Sequence, residues 1–317
     1  MRDVGLPGSV LLTGPTGGLG RALLAPLARR QPEHLILLGR APGPLDAAQQ
    51  LARDAGARAV SVVDCDLADL DAVASAGRAV TALIDAGYPP LRSMVLNAAV
   101  QMTDRHQHNR QGLELTFAVN VVAQHLLLKS TAAVSAPGSH AVIVGSGTHY
   151  GDWHSYGMIP RPAWKDPTLL AQPDSDDASP DRTSGGRTYA TSKLAGLYLA
   201  HAWQARNQGR RRINVFDPGL MPGTGIARGL ARFPLFAWNH VMPALTFLPG
   251  WSTPPRSAQH LAAFALGEVH TNLSGGYVEL GQVRQSSAAS YDLIREHRLW
   301  RVLEDLTAFP PRTAAGL

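Results

Sequence analysis

The stretch that decides the fold is Thr13-Gly14-Pro15-Thr16-Gly17-Gly18-Leu19-Gly20, set between the aliphatic run Ser9 to Leu12 and the helix-forming Arg21-Ala22-Leu23-Leu24. Glycines there let the chain turn sharply and bring its backbone close to a pyrophosphate, which then rests on exposed N–H groups at a helix N-terminus. A glycine-rich turn alone is weak evidence, but its strand-turn-helix setting strengthens it. Two spacings fit at once, Gly14/Gly18/Gly20 and Gly14/Gly17/Gly20, so the glycines leave the subtype open.

Outward from this turn, aliphatic runs recur at His34 to Leu38, Ala59 to Val63, Ser93 to Leu96 and His140 to Val144, separated by helix-length segments. That alternation predicts βαβ units feeding a parallel sheet. Two later runs, Arg212 to Phe216 and Gly276 to Leu280, bring the expected count to about seven strands. Gly112 to Thr131 and Tyr189 to Asn207 have one apolar face at helical spacing. The expected architecture is a Rossmann-type, doubly wound α/β sheet with helices on both faces, formed by residues 1–317 as a single domain. Two segments break the rhythm: a Pro-, Asp-, Ser- and Gly-rich insertion over 150–188, and an apolar, proline-interrupted stretch over 229–255. The second is read as an irregular lid over the substrate.

The second strand ends at Leu38-Gly39-Arg40, where an acidic residue would bind the 2′-hydroxyl of NAD and an arginine can pair with the 2′-phosphate of NADP. Arg40 therefore points to NADPH. Asp66 and Leu67, after the third strand, are expected near the adenine.

Thr13-Gly14 with Gly18 and Gly20, Asn97-Ala98-Ala99, Asn120, Ser146, Tyr189 with Lys193, and Pro218-Gly219 with Thr224 together resemble the short-chain dehydrogenase/reductase family over nearly the whole chain. Within it, Gly112 to Asn120, Val144-Gly145-Ser146 and Pro218 to Arg228 look most like the branch of protochlorophyllide oxidoreductases and retinol-dehydrogenase-like enzymes. The resemblance implies a catalytic tetrad of Asn120, Ser146, Tyr189 and Lys193. In it Tyr189 donates a proton to a carbonyl oxygen and Ser146 hydrogen-bonds that oxygen. Lys193, on the same helix face, lowers the tyrosine pKa and holds the nicotinamide ribose, while Asn120 anchors a water. It also implies cofactor contacts from Thr13, Gly14, Thr16, Gly17, Gly18, Leu19, Gly20, Arg40, Asp66, Leu67, Asn97, Ala98, Ala99, Tyr189, Lys193, Pro218, Gly219 and Thr224. His149, Tyr150, Trp153, His154 and Tyr156 open the insertion and are read as surface packing ahead of a substrate pocket.

The implied reaction is hydride transfer between NADPH and the carbonyl or secondary alcohol of an apolar, fairly bulky small molecule. The alternatives are a protochlorophyllide-type carbon-carbon double-bond reductase, disfavoured by the lack of cysteines beyond Cys65, and a non-catalytic dinucleotide sensor, which has no need of a tyrosine acid. An extended-family epimerase shares the glycines and the Tyr/Lys pair but not Asn97-Ala98-Ala99 with Pro218-Gly219. One cysteine leaves no disulfide and no zinc site, so no metal is expected. The net charge of +5 comes from scattered arginines, densest at Arg210 to Arg212, and is read as a solvated surface rather than a nucleic-acid footprint. No run nears the roughly 18 apolar residues of a membrane span, and no signal segment precedes the first strand. A soluble, cytoplasmic monomer or homodimer is the expectation.

Overall fold

The computed structural model describes residues 8–40, 43–151, 157, 159–175, 183–207, 209–222 and 250–308. The first half alternates strand and helix: β1 (Ser9–Thr13), α1 (Gly18–Arg29), β2 (His34–Gly39), α2 (Pro44–Asp54), β3 (Val60–Asp64), α3 (Leu70–Asp85) and β4 (Leu91–Leu96). Then come α4 (Leu115–Phe117), a π-helical turn (Ala118–Val122), α5 (Ala123–Ser130), β5 (Ser135–Val144) and a 3-10 turn (Gly147–Tyr150). The rest of the described chain holds α6 (Pro167–Leu170), α7 (Ser184–Arg206), β6 (Arg211–Asp217), α8 (Pro254–Ala265), β7 (Tyr277–Glu279), β8 (Gln282–Arg284), a 3-10 turn (Ala288–Tyr291) and α9 (Leu293–Leu306).

One eight-stranded sheet runs in the order β3-β2-β1-β4-β5-β6-β7-β8. Seven strands are parallel, and β8 closes the edge antiparallel to β7. The order reverses between β1 and β4, the place where open α/β sheets leave a crevice at the carboxyl ends of their strands. Side-chain alternation feeds both faces: Leu11, Ile36, Met94, Ile143 and Val215 pack into one core, whereas Val10, Leu12, Leu35, Leu37, Val142 and Phe216 pack into another. Residues of α3, α5, α7 and α9 fill the first core, and those of α1, α2 and α8 the second.

Several expectations shift. The predicted helix over 112–131 begins at Leu115 and carries a π turn, and the helix expected from Tyr189 begins five residues earlier, at Ser184. Arg211 is not on a solvated surface: it is buried, donates from Nη1 to Leu128 O at 3.0 Å, and is pushed down to about 10 by burial. Of the insertion, residues 159–175 are fastened to the body. Arg105 spans them with bonds to Asp174 Oδ1 (3.0 Å), Leu169 O (3.1 Å) and Gln172 O (2.6 Å), and Asp166 pairs with Arg298 of α9 at 2.7 Å. Thr224 and residues 229–249 of the expected lid lie outside the described residues, as do Trp153, His154 and Tyr156. The base of that stretch is described: Leu220 N donates to Gly250 O and Ser252 N to Leu220 O, both at 2.9 Å. No helix among the described residues is long and apolar enough to cross a membrane.

Candidate active site

The glycine turn is shaped by contacts that a side chain would break. Gly14 and Gly18 have positive φ (66° and 50°), and a Cβ on Gly20 would lie 2.0 Å from Gly14 O. Above Gly17, the N-cap of α1, the space is open, and no side chain caps the first turn of this helix. Thr16, Gly18 and Leu19 complete the bend into α1. Beneath it, Asn97 Nδ2 donates to Thr13 O (3.0 Å) and Gly14 O (3.2 Å), and Ala98 N donates to Thr13 Oγ1 (3.0 Å). The ends of β1 and β4 are thus tied into one floor, with Ala99 next in line. A close-approach backbone, open space and uncapped N–H groups together fit the pyrophosphate of a dinucleotide.

At one flank of the floor, Arg40 is exposed at the end of β2. Cys65 N donates to Gly39 O at 2.8 Å, extending the ladder past β3 and bringing Asp66 (exposed) and Leu67 (buried) beside the same strand end. Cys65 is buried, and its thiol is pushed up to about 12 by desolvation and by Asp66, Asp64 and Asp69, so it is no nucleophile.

At the other flank the four residues of the expected tetrad converge. Asn120, in the π turn, is spent on structure: its Oδ1 accepts from Val100 N (2.8 Å), and its Nδ2 donates to Val100 O (2.9 Å) and Ser192 Oγ (3.0 Å). Ser192 Oγ in turn donates to Tyr189 O at 2.7 Å. This braces α7 against the strand end at Ala98 to Val100. Ser146, just past β5, lies near enough to the Tyr189 phenol to act on it, in the lowering sense. Lys193 Nζ donates to Val144 O at 2.8 Å and lies 5.4 Å from the centroid of the Tyr189 ring. Burial, the nearby Asp217 charge next, holds the phenol above its ordinary value despite Ser146. The lowering expected from Lys193 is not among the influences on the phenol, whose anion would sit desolvated and facing the Asp217 charge. Burial pushes Lys193 down to about 8, with Asp217 acting in the opposite sense.

Three supporting residues carry no sequence signal of their own. Asp217, the last residue of β6, is 2% exposed; its Oδ1 accepts from Gly219 N (2.8 Å) and its Oδ2 from the Tyr277 hydroxyl (2.6 Å). His149, read from the sequence as surface packing, is buried. Its Nδ1–H donates to Ser146 O at 2.7 Å, Nε2 accepts from Ser287 N at 3.2 Å, and the ring packs edge-on to Tyr277. This bond pattern assigns the neutral tautomer. Pro218 and Gly219 continue from β6, with Pro218 O accepting from Ser257 Oγ at 2.6 Å, and Gly219 (φ 75°) crowded by Gly250 O and Leu280.

Comparison with known proteins points the same way. Residues 8–148 match the KR domain. The chain is 28% identical over 303 residues to a putative daunorubicin C-13 ketoreductase, DnrU, from Streptomyces sp. (strain C5), covering 93% of this chain and 91% of that protein. It is also 28% identical over 302 residues to a polyprenol dehydrogenase from Danio rerio, covering 92% and 84% respectively. Among solved structures, a 3-oxoacyl (acyl-carrier-protein) reductase from Agrobacterium tumefaciens with NADP bound superposes with a TM-score of 0.64 at 21% identity, over 89% of this chain and 97% of that one.

Proposed function

Because the chain belongs to the short-chain dehydrogenase/reductase family, we propose that it is an NADPH-dependent oxidoreductase interconverting a carbonyl and a secondary alcohol on an apolar, fairly bulky small molecule, with residues 1–317 working as one unit. The observation that carries the reading is the meeting of Ser146, Tyr189 and Lys193 at the carboxyl ends of the strands, one flank away from the glycine turn. The names of the two relatives, a C-13 ketoreductase and a polyprenol dehydrogenase, support a carbonyl/alcohol pair. NADPH, when bound, supplies the hydride.

Each residue then has a defined task. The Gly14 to Gly20 turn receives the pyrophosphate, and Arg40 pairs with the 2′-phosphate through charge-assisted hydrogen bonds. Asp66 and Leu67 border the adenine, and Asn97, Ala98 and Ala99 line the floor. Ser146 donates to the substrate oxygen, and Tyr189 delivers the proton that turns it into a hydroxyl. A phenol held above its ordinary value is protonated at neutral pH, the state that reduction requires. Lys193 offers its ammonium to the ribose and to the phenolate left after proton transfer, and Asn120 fixes Ser192 and hence the pitch of α7 beneath Tyr189.

The test is a panel of bulky ketones and the matching alcohols, followed by nicotinamide absorbance with NADPH and with NADH. Turnover with NADPH well above NADH is expected. Tyr189→Phe is expected to lower it on the order of a hundred- to ten-thousandfold while NADPH still binds. Unchanged turnover in Tyr189→Phe would refute the mechanism.

A further inference from the structure

We propose that Asp217 is a positioning residue for catalysis: a buried, fixed anion at the end of β6 that keeps Lys193 in its ammonium form beside Tyr189. The proposal rests on the reading of Tyr189 and Lys193 as the pair at the reacting carbon.

Its geometry follows from register. β5 and β6 run side by side with Val144 opposite Phe216, and Gly145 N donates to Phe216 O at 2.8 Å. Val144 O is the acceptor for Lys193 Nζ. Alternation along β6 sends Phe216 to the α8 side and its neighbours Val215 and Asp217 to the α7 side, where Val215 and Tyr277 pack with Leu194 and Tyr198. Asp217 therefore occupies the face that α7 covers, one strand over from the lysine's carbonyl. It is held on both oxygens, by Gly219 N and by the Tyr277 hydroxyl, so its charge is anchored in place. Tyr277 is itself wedged against His149, which holds Ser146 O.

Among the described residues, the titratable groups around Asp217 are Tyr189 and Lys193 on α7 and Tyr277 on β7, with Glu279 of β7 and Tyr150 of the 3-10 turn acting on Tyr277 and neutral His149 packed against its ring. Among these, Asp217 is the charge that acts on both members of the pair. Burial drives Lys193 toward the neutral amine, and Asp217 opposes that drive, leaving the group at about 8. A nearby opposite charge favours the charged form of an amine. The same anion disfavours the phenolate, so its presence ensures a charged lysine and a protonated tyrosine together, which is the starting state for reduction.

Lysine side-chain NMR reads this without a substrate. The chain has only three lysines, Lys129, Lys165 and Lys193, and Lys193→Met identifies the buried signal. In Asp217→Asn the Lys193 midpoint is expected to fall measurably, by about a few tenths of a pH unit or more. Asp217→Ser, which also retains an acceptor near Gly219 N, should give the same direction and stands in if the first variant does not fold. Tyr277→Phe disturbs the same pocket but leaves the charge, so its midpoint should stay at or above that of the wild type. An unmoved midpoint in folded Asp217→Asn or Asp217→Ser, or an equal fall in Tyr277→Phe, would overturn the proposal. Absence of turnover on every substrate would count against the oxidoreductase reading alone, because the titration is read in its absence.

Discussion

Gly20 has no room for even a methyl group. A Cβ there would stand 2.0 Å from Gly14 O and 2.6 Å from Asn97 Nδ2, the atom that ties the ends of β1 and β4 together. The backbone of the turn must therefore move to admit alanine, whereas Gly17, with nothing nearby, would accept one without a clash in the free protein. The two glycines thus differ: Gly20 is required by internal packing, whereas Gly17 borders open space that the proposed function assigns to the cofactor. Gly20→Ala is expected to lose about 1 to 3 kcal/mol of stability through overpacking and to weaken NADPH binding at least about tenfold, since the displaced turn is the proposed pyrophosphate cradle. Gly17→Ala should weaken binding with stability nearly unchanged. Urea unfolding and a fluorescence titration with NADPH on both variants check this, and equal stabilities would contradict the packing argument.

The elements were legible in the sequence where periodicity is strong and lost where packing overrides propensity. The parallel strands appear within a few residues of their expected ends, because aliphatic runs bounded by turn residues have little else to become. β8 has three exposed residues and no alternation to read. The start of α7 was missed because Ser184-Gly185-Gly186 is a poor helical sequence, each glycine costing about 1 kcal/mol relative to alanine. The fold explains the pair: a Cβ on Gly185 would lie 2.1 Å from Met102 O, and one on Gly186 would lie 2.9 Å from Pro160, so two loops press against the first turn of the helix that carries Tyr189. Of the candidate site, the glycine turn and the four residues of the expected tetrad are picked out by motif, but Asp217, Tyr277 and the bracing by His149 are not, since a lone acid, phenol or imidazole has no spacing to announce it. Arg105 is another such residue. It gathers residues 169–174 through three groups and also reaches Thr188 Oγ1 at 3.5 Å, just ahead of Tyr189. Arg105→Ala should cost about 1.5 to 3 kcal/mol, the scale of hydrogen bonds to a charged group. It should also speed amide exchange over 163–175 while leaving the sheet protected. Uniform exchange throughout would mean that this segment and the sheet open as one unit.

Over the whole molecule, the two cores on either side of the sheet bury histidines far from the reacting end, and these set how stability responds to acid. His34, at the start of β2, lies between Ser9 Oγ (3.2 Å) and Ser61 Oγ (2.9 Å) and stacks on Tyr88; desolvation holds it down at about 4. His140, on β5, accepts from Asn214 Nδ2 at 2.9 Å and packs edge-on to Phe264; burial first, then Arg212, holds it down at about 3. His125 on α5 is displaced in the same direction by burial, with Glu304 of α9 working against it. In each case the folded pKa lies below the unfolded value of about 6.5, so the unfolded chain binds protons first as pH falls. Their contribution is fully present above about pH 7 and is lost as pH drops through 6.5 toward 4. With two uncoupled histidines the slope approaches about 2.7 kcal/mol per pH unit. Urea unfolding at half-unit steps should therefore show a plateau near neutrality and a decline from about pH 6.5, made shallower in His34→Asn, where one of these protons is removed from the balance. The decline should leave the Tyr189 to Lys193 pair untouched, because neither His34 nor His140 acts on those groups. A flat profile between pH 7 and 5 would show that the buried rings gain protons in the native state, and that the strand packing around them yields to charge.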